Sequence, residues 1–141
     1  MLIDNIFIDT SAWVALADSD DINHKKAAAI YPTLLKKHRS LFTTNLIVAE
    51  TYILILRALG HEAAIKFIEN INASTRIIKI YSTEDIEKDA EKILKKYSDQ
   101  DFSYTDAVSF AIMNKQKIKK AFCFDTHFET MRFVKIPHNL I

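Results

Sequence analysis

A single glycine, Gly60, serves the whole of this 141-residue chain, and that scarcity removes the folds that cradle phosphate in glycine-rich loops, the P-loop and dinucleotide-binding types. Cysteine is as rare. Cys123 is the only one, which excludes disulfides within the chain and cysteine-based zinc sites; its apolar setting reads as a buried strand with the thiol as small core filler. No Pro-, Gly- or Ser-rich linker, internal repeat or low-complexity tract divides the sequence. No apolar run is long enough to span a bilayer, since the best candidate, residues 46–59, is interrupted by Glu50. The start of the chain lacks a basic segment followed by an apolar stretch and a small-residue cleavage site, so a cytoplasmic protein with no membrane partner is expected. Neither sign of charge dominates: the formal net charge is +1, so recognition of a polyanion would rest on patches rather than on the total.

What remains is a chain with 49% apolar and 26% charged residues, sized for one domain over residues 1–141 around one core. Residues 5–9 read as a short buried strand, with Thr10 or Ser11 capping a helix through WVALA. Residues 22–38 carry a helical pattern interrupted by Pro32, which predicts a helix pair or a kinked helix. A brief strand at 41–43 leads to Thr44 or Asn45, a cap for a strongly apolar helix that ends at Gly60. That helix is apolar around most of its circumference, which predicts central burial or, failing that, a seam between copies. A helix over 62–72 and a strand at 76–81 follow. Ser82 and Asp85 have capping-box spacing for a helix to about Tyr97, and Ser103 and Asp106 repeat it before AVSFAIMNK. AFCF, 121–124, is a buried strand and RFVKI, 132–136, a possible last one. Strands alternating with helices predict an α/β sandwich with a mostly parallel central sheet.

Four acids each stand alone in an apolar stretch: Asp9 in IFIDTSAWVAL, Glu50 in LFTTNLIVAETYILIL, Asp106 in FSYTDAVSFAIM and Asp125 in AFCFDTHF. An isolated carboxylate in apolar surroundings costs several kcal/mol or shifts its pKa unless something compensates it. One such residue would be an accident; four suggest a shared compensator. No Lys or Arg falls within these runs, so the economical compensator is a divalent cation. Oxygen donors without His or Cys favour Mg²⁺ or Mn²⁺. Asp9 and Asp125 fall at the ends of strands, where open parallel sheets bind ligands, and Glu50 and Asp106 lie in the first turns of helices that can aim at the same edge. Ions of this kind acidify the water they hold, so hydrolysis of a phosphodiester is the natural reaction.

Each acid also has an ordinary reading. Asp106 is the third residue of a capping box, Asp9 could cap or turn with Thr10 and Ser11, and Asp125 could simply turn the chain. Glu50 would need an unseen arginine or a bound proton. His127 reads better as a surface or turn histidine than as a group that touches substrate phosphate, and Asp101 better as a solvated loop acid. KQKIKK, 115–120, is an ordinary solvated turn before it is a nucleic-acid contact.

The motifs FIDTSAW, TTNLIVAET, FSYTDAVSFA and FDTHF, in that order, resemble the successive signatures of the PIN domain, and most closely those of VapC-type toxin ribonucleases. The resemblance implies a PIN-like three-layer α/β/α sandwich. It matches Asp9, Glu50, Asp106 and Asp125 to the family's acidic quartet, and Thr10 and Thr105 to positions that support it through hydroxyl hydrogen bonds. It further implies an Mg²⁺- or Mn²⁺-dependent endoribonuclease acting on RNA, a homodimer, and a cognate antitoxin. Two other classes stay open from the residues: a non-catalytic RNA-binding or interaction module that keeps the fold, and a phosphatase with Asp9 as nucleophile. Four intact acids disfavour the first, and Ser11, standing where such phosphatases carry a second aspartate, disfavours the other.

Overall fold

Three residues in succession, Ile6, Phe7 and Ile8, have no exposed surface at all, which a strand permits only when both faces of its sheet are covered. They belong to β1 (Asp4–Ile8). The computed structural model describes residues 4–138. After β1 come α1 (Thr10–Ala17), α2 (His24–Lys37), β2 (His38–Thr44), α3 (Asn45–Leu59), α4 (His61–Ala73) and β3 (Ile77–Ile80). The second half holds α5 (Glu84–Lys96), α6 (Tyr104–Gln116), β4 (Lys120–Phe122), α7 (His127–Thr130) and β5 (Val134–Ile136).

The five strands form one sheet in the order β3-β2-β1-β4-β5, and every pairing is parallel. Phe7 of β1 pairs with Phe42 on one side and Ala121 on the other. The chain therefore winds outward from β1 through β2 to β3, then returns to lay β4 against the other side of β1. That reversal opens a crevice beyond the carboxyl ends of β1 and β4, the place where ligands bind in such sheets. The helices gather in two sets: α1 packs on α2 and α3, and α3 on α4, while α5 packs on α6. Phe110 on α6 is the aromatic hub, with ring centroids 5.0 Å from Phe128 and 5.1 Å from Phe102. No helix among the described residues is long and apolar enough to cross a membrane.

Several local expectations change. Residues 24–37 form one helix with Pro32 inside it, not a pair. It runs straight into β2, longer than the brief strand expected, and the Arg76 guanidinium donates to the carbonyls of Leu35, His38 and Arg39. These carbonyls span the end of α2 and the start of β2, so one side chain ties the start of β3 to the α2–β2 junction. The N-cap of α1 is Asp9, not Thr10 or Ser11. Thr83, not Ser82, caps α5, accepting from the Ile86 amide, and the Ser82 hydroxyl instead donates to Glu87. Helix α3 is not centrally buried: Ile47, Val48, Thr51 and Ile55 face the interior, while Leu54 and Leu59 are exposed. The last strand begins at Val134 rather than 132, after Arg132 in the left-handed region at φ +67°. Cys123 is buried filler as expected.

Candidate active site

The crevice at the β1–β4 reversal holds a cavity of about 290 Å³ whose wall includes Asp9, Glu50, Asp106 and Asp125 together with Thr10, Ser11, Val14, Asp21, Asn23 and Leu54. The four acids come from four different segments. Asp9 directly follows β1, and its amide donates to the Phe122 carbonyl at the end of β4 (3.0 Å). Asp125 lies just past β4. Glu50 projects from α3 one turn before Leu54, and Asp106 sits in the first turn of α6.

Burial divides the acids into two pairs. Asp9 and Asp106 are buried, 5% and 8% exposed, whereas Glu50 and Asp125 are half-buried. Glu50 thus occupies the polar rim of α3 rather than the apolar interior its neighbours in sequence suggested. It has no hydrogen bond or ion pair among the described residues. Burial pushes the Asp9 carboxyl up to about 7, with the charge of Asp106 adding to the rise and the Ser11 hydrogen bond opposing it.

In each aspartate the local hydrogen bonds fall on one oxygen only. Asp9 Oδ2 accepts from the Ser11 amide (3.4 Å) and hydroxyl (2.8 Å). Asp106 Oδ2 accepts from the Ser103 amide (3.0 Å), completing the capping box, and lies 3.0 Å from His127 Nδ1. Asp125 Oδ1 accepts from the His127 amide (2.8 Å). The second oxygen of each is left without a partner among the described residues, as is Glu50. An orphan of another kind joins them: Thr10 Oγ1 is buried and makes no hydrogen bond. Uncommitted carboxylate oxygens around one cavity are the donor set a hard divalent cation takes, and a cation there would favour the charged form of Asp9 that burial and, to a lesser extent, the Asp106 charge disfavour. The residues fit such an ion. An oxygen of Asp106, one of Asp125 and a ring nitrogen of His127 also lie within 4.8 Å of one another.

The sequence did not disclose everything that gathers here. The hydroxyl hydrogen bonds at this point come from Ser11 rather than Thr10: the Ser11 hydroxyl donates to Asp9 and accepts from the Phe124 amide (2.9 Å), joining the ends of β1 and β4. The Thr105 hydroxyl makes no hydrogen bond among the described residues; the Thr105 carbonyl accepts from Ser109 (2.9 Å). His127 is not a surface histidine. Its side chain is 21% exposed, with Nδ1 on Asp106 and Nε2 2.8 Å from Asp101 Oδ1. Its hydrogen bonds to these acids, and the nearby Asp125, outweigh burial and raise its pKa above the ordinary imidazole value. Asp101 is exposed yet paired, so the solvated-loop reading was half right. The two-residue spacing from Asp125 was the one local signal for His127, whereas Asp101 lies 26 residues away. Asp21 and Asn23, from the α1–α2 connection, carried no signal at all.

The sequence matches the PIN domain, the family its motifs resemble, over residues 6–134. The chain belongs to the PIN-domain family. It is 34% identical over 131 residues to the 23S rRNA-specific endonuclease VapC20 of Mycobacterium tuberculosis, covering 93% of this chain and 97% of that protein. It is 32% identical over 114 residues to a VapC ribonuclease of Archaeoglobus fulgidus, covering 79% of this chain and 72% of the relative. The crystal structure of the M. tuberculosis VapC20, described as a sarcin-ricin loop cleaving toxin, aligns with a TM-score of 0.85 over 92% of this chain and 96% of that one. VapBC2 from Rickettsia felis, at 9% identity over 93% of this chain and 96% of that one, shares the fold with a TM-score of 0.68.

Proposed function

We propose that the chain, as one nuclease domain, is a VapC-type endoribonuclease that hydrolyses RNA phosphodiester bonds with Mg²⁺ or Mn²⁺ held by Asp9, Asp106 and Asp125, with Glu50 beside them. The observation that carries this is the meeting of four acids from separate segments in one crevice, the three aspartates each with an oxygen left over. A divalent ion bound there supplies an acidified water and offsets charge on the scissile phosphate. Glu50, free of other bonds and at the rim, orients the attacking water or takes its proton. Thr10, whose buried hydroxyl has no partner, lines the same cavity, and Thr105 stands next to Asp106 in the first turn of α6.

The substrate class that best suits this reading is a structured RNA, supported by 34% identity to a 23S rRNA-specific endonuclease over almost the whole chain. The description of that relative's structure as that of a toxin supports a cognate antitoxin partner, and the homodimer and cytoplasmic setting are proposed on the family resemblance. The test is to incubate the protein, and Asp9→Asn beside it, with a 23S rRNA fragment carrying the sarcin-ricin loop, with tRNA and with an unstructured RNA, in Mg²⁺, in Mn²⁺ and in chelator. Metal-dependent cuts lost in the variant are expected. Cleavage that persists in chelator or in Asp9→Asn would sink the assignment, and tight metal-free RNA binding without cleavage would favour a non-catalytic module.

A further inference from the structure

We propose that His127 is a positioning residue of the ion centre: anchored through Nε2 by Asp101, it holds the Asp106 carboxylate through Nδ1 and so leaves Asp106 Oδ1 for the ion. The inference rests on the reading of the crevice as a divalent-ion site. It begins with Asp106, whose two local partners, the Ser103 amide and His127 Nδ1, both stand 3.0 Å from the same oxygen. Two partners on one oxygen, one from the helix cap and one from a segment 21 residues on, fix the plane of the carboxylate.

The ring is itself fixed by two further contacts. Its Nε2 lies 2.8 Å from Asp101 Oδ1. It packs T-shaped against Phe102, with centroids 5.1 Å apart and planes at 79°, and Phe102 is in turn packed against Tyr97 and Phe110. The backbone amide of His127 holds Asp125 Oδ1 at 2.8 Å. One residue thus ties Asp125, Asp106 and the loop acid Asp101 into a single unit. Outer partners of this kind set the orientation of the groups that touch an ion, and removing them weakens binding by about 10–100-fold. Asp101, its side chain 94% exposed, reaches the centre only through the ring.

The test is Mn²⁺ titration by calorimetry of the wild type, Asp101→Asn, His127→Ala, the double variant and His127→Asn, with circular dichroism to check folding. His127→Ala is expected to weaken Mn²⁺ by about 10–100-fold and Asp101→Asn by about tenfold. The double variant should bind no more weakly than His127→Ala alone. His127→Asn, whose amide nitrogen can take the place of Nδ1, should recover most of the loss and be indifferent to Asp101→Asn. If His127→Ala does not fold, Asp101→Asn and His127→Asn carry the same cycle. Unchanged affinities, or losses that multiply in the double variant, would overturn the proposal. So would a nitrogen hyperfine coupling from directly bound imidazole in the Mn²⁺ spectrum of the wild type, which would make the ring a ligand. A wild type that binds no Mn²⁺ contradicts both this proposal and the ion-centre reading. One that binds Mn²⁺ but cuts no RNA sinks the ribonuclease reading alone.

Discussion

Helix α1 is only eight residues long, yet it faces two cavities of opposite character. Thr10, Ser11 and Val14 line the acid crevice of about 290 Å³, while Trp13, Leu16 and Ala17 line an apolar cavity of about 350 Å³ with Tyr31, Phe67 and Ile71 among its other walls. On the apolar side the indole is matched. Trp13 packs edge-on to Tyr31 and Phe67, and its indole N–H donates to Thr43 Oγ1, whose own proton goes to the Ile8 carbonyl. On the acid side a buried carboxyl sits at an unfavourable pKa beside another acid, with a buried hydroxyl unpartnered. The contrast sets a matched indole on one face of α1 against a strained carboxyl on the other, and on the proposed reading a divalent ion relieves that strain.

The largest expected effect is on the acid face. Replacing Asp106 by Asn should lower RNA cleavage by more than about a hundredfold, since loss of even an outer partner of an ion costs 10–100-fold. Circular dichroism should be unchanged, and a variant that cleaves normally would remove Asp106 from the centre. On the apolar face Trp13→Ala should cost about 3–5 kcal/mol in chemical denaturation, with Trp13→Phe recovering most of it. A loss as small as that of a surface substitution would mean that α1 is not fastened there.

The pH dependence of stability sharpens the same contrast. With chelator present, the raised Asp9 carboxyl binds its proton more tightly in the folded than in the unfolded chain, so stability should fall as pH rises from about 4 toward 7. A shift of this size sets an upper limit of about 4 kcal/mol. His127, also raised, adds a further fall above its unfolded pKa of about 6.5. Between about pH 4 and pH 6 the effect therefore belongs to Asp9, and Asp9→Asn should flatten the curve in that window. A wild type equally stable at both pH values would contradict the buried, uncompensated state of Asp9. The smallest effect is expected from Ser11→Ala, which leaves the Phe124 amide and Asp9 Oδ2 without their shared hydroxyl. It should destabilise by about 1–3 kcal/mol, read as a lowered denaturation midpoint.

The α/β order and parallel sheet were legible because buried strands such as residues 6–8 are continuously apolar and the helices carry their caps in sequence. The Ser103–Asp106 box formed as expected. The Ser82–Asp85 spacing did not, because Thr83 stands beside it with an equally good hydroxyl, and spacing alone cannot choose between adjacent caps. The four acids were visible as interruptions of apolar runs, but their depth was not. Glu50, flanked by apolar residues in sequence, lies at the rim, because helix periodicity sets it on a different side of α3 from Val48 and Ile55. His127 and Ser11 were undervalued since their partners, Asp101 and Phe124, are brought near by topology rather than by sequence.

On the proposed reading the acid face of α1 is incomplete without a divalent ion, and denaturation with and without Mn²⁺ at pH 7.5 is the decisive measurement. At a concentration a hundred times its dissociation constant, Mn²⁺ should stabilise the wild type by about 2.7 kcal/mol and leave Asp9→Asn nearly unmoved. An equal response in the two proteins, or none in the wild type, would contradict the account.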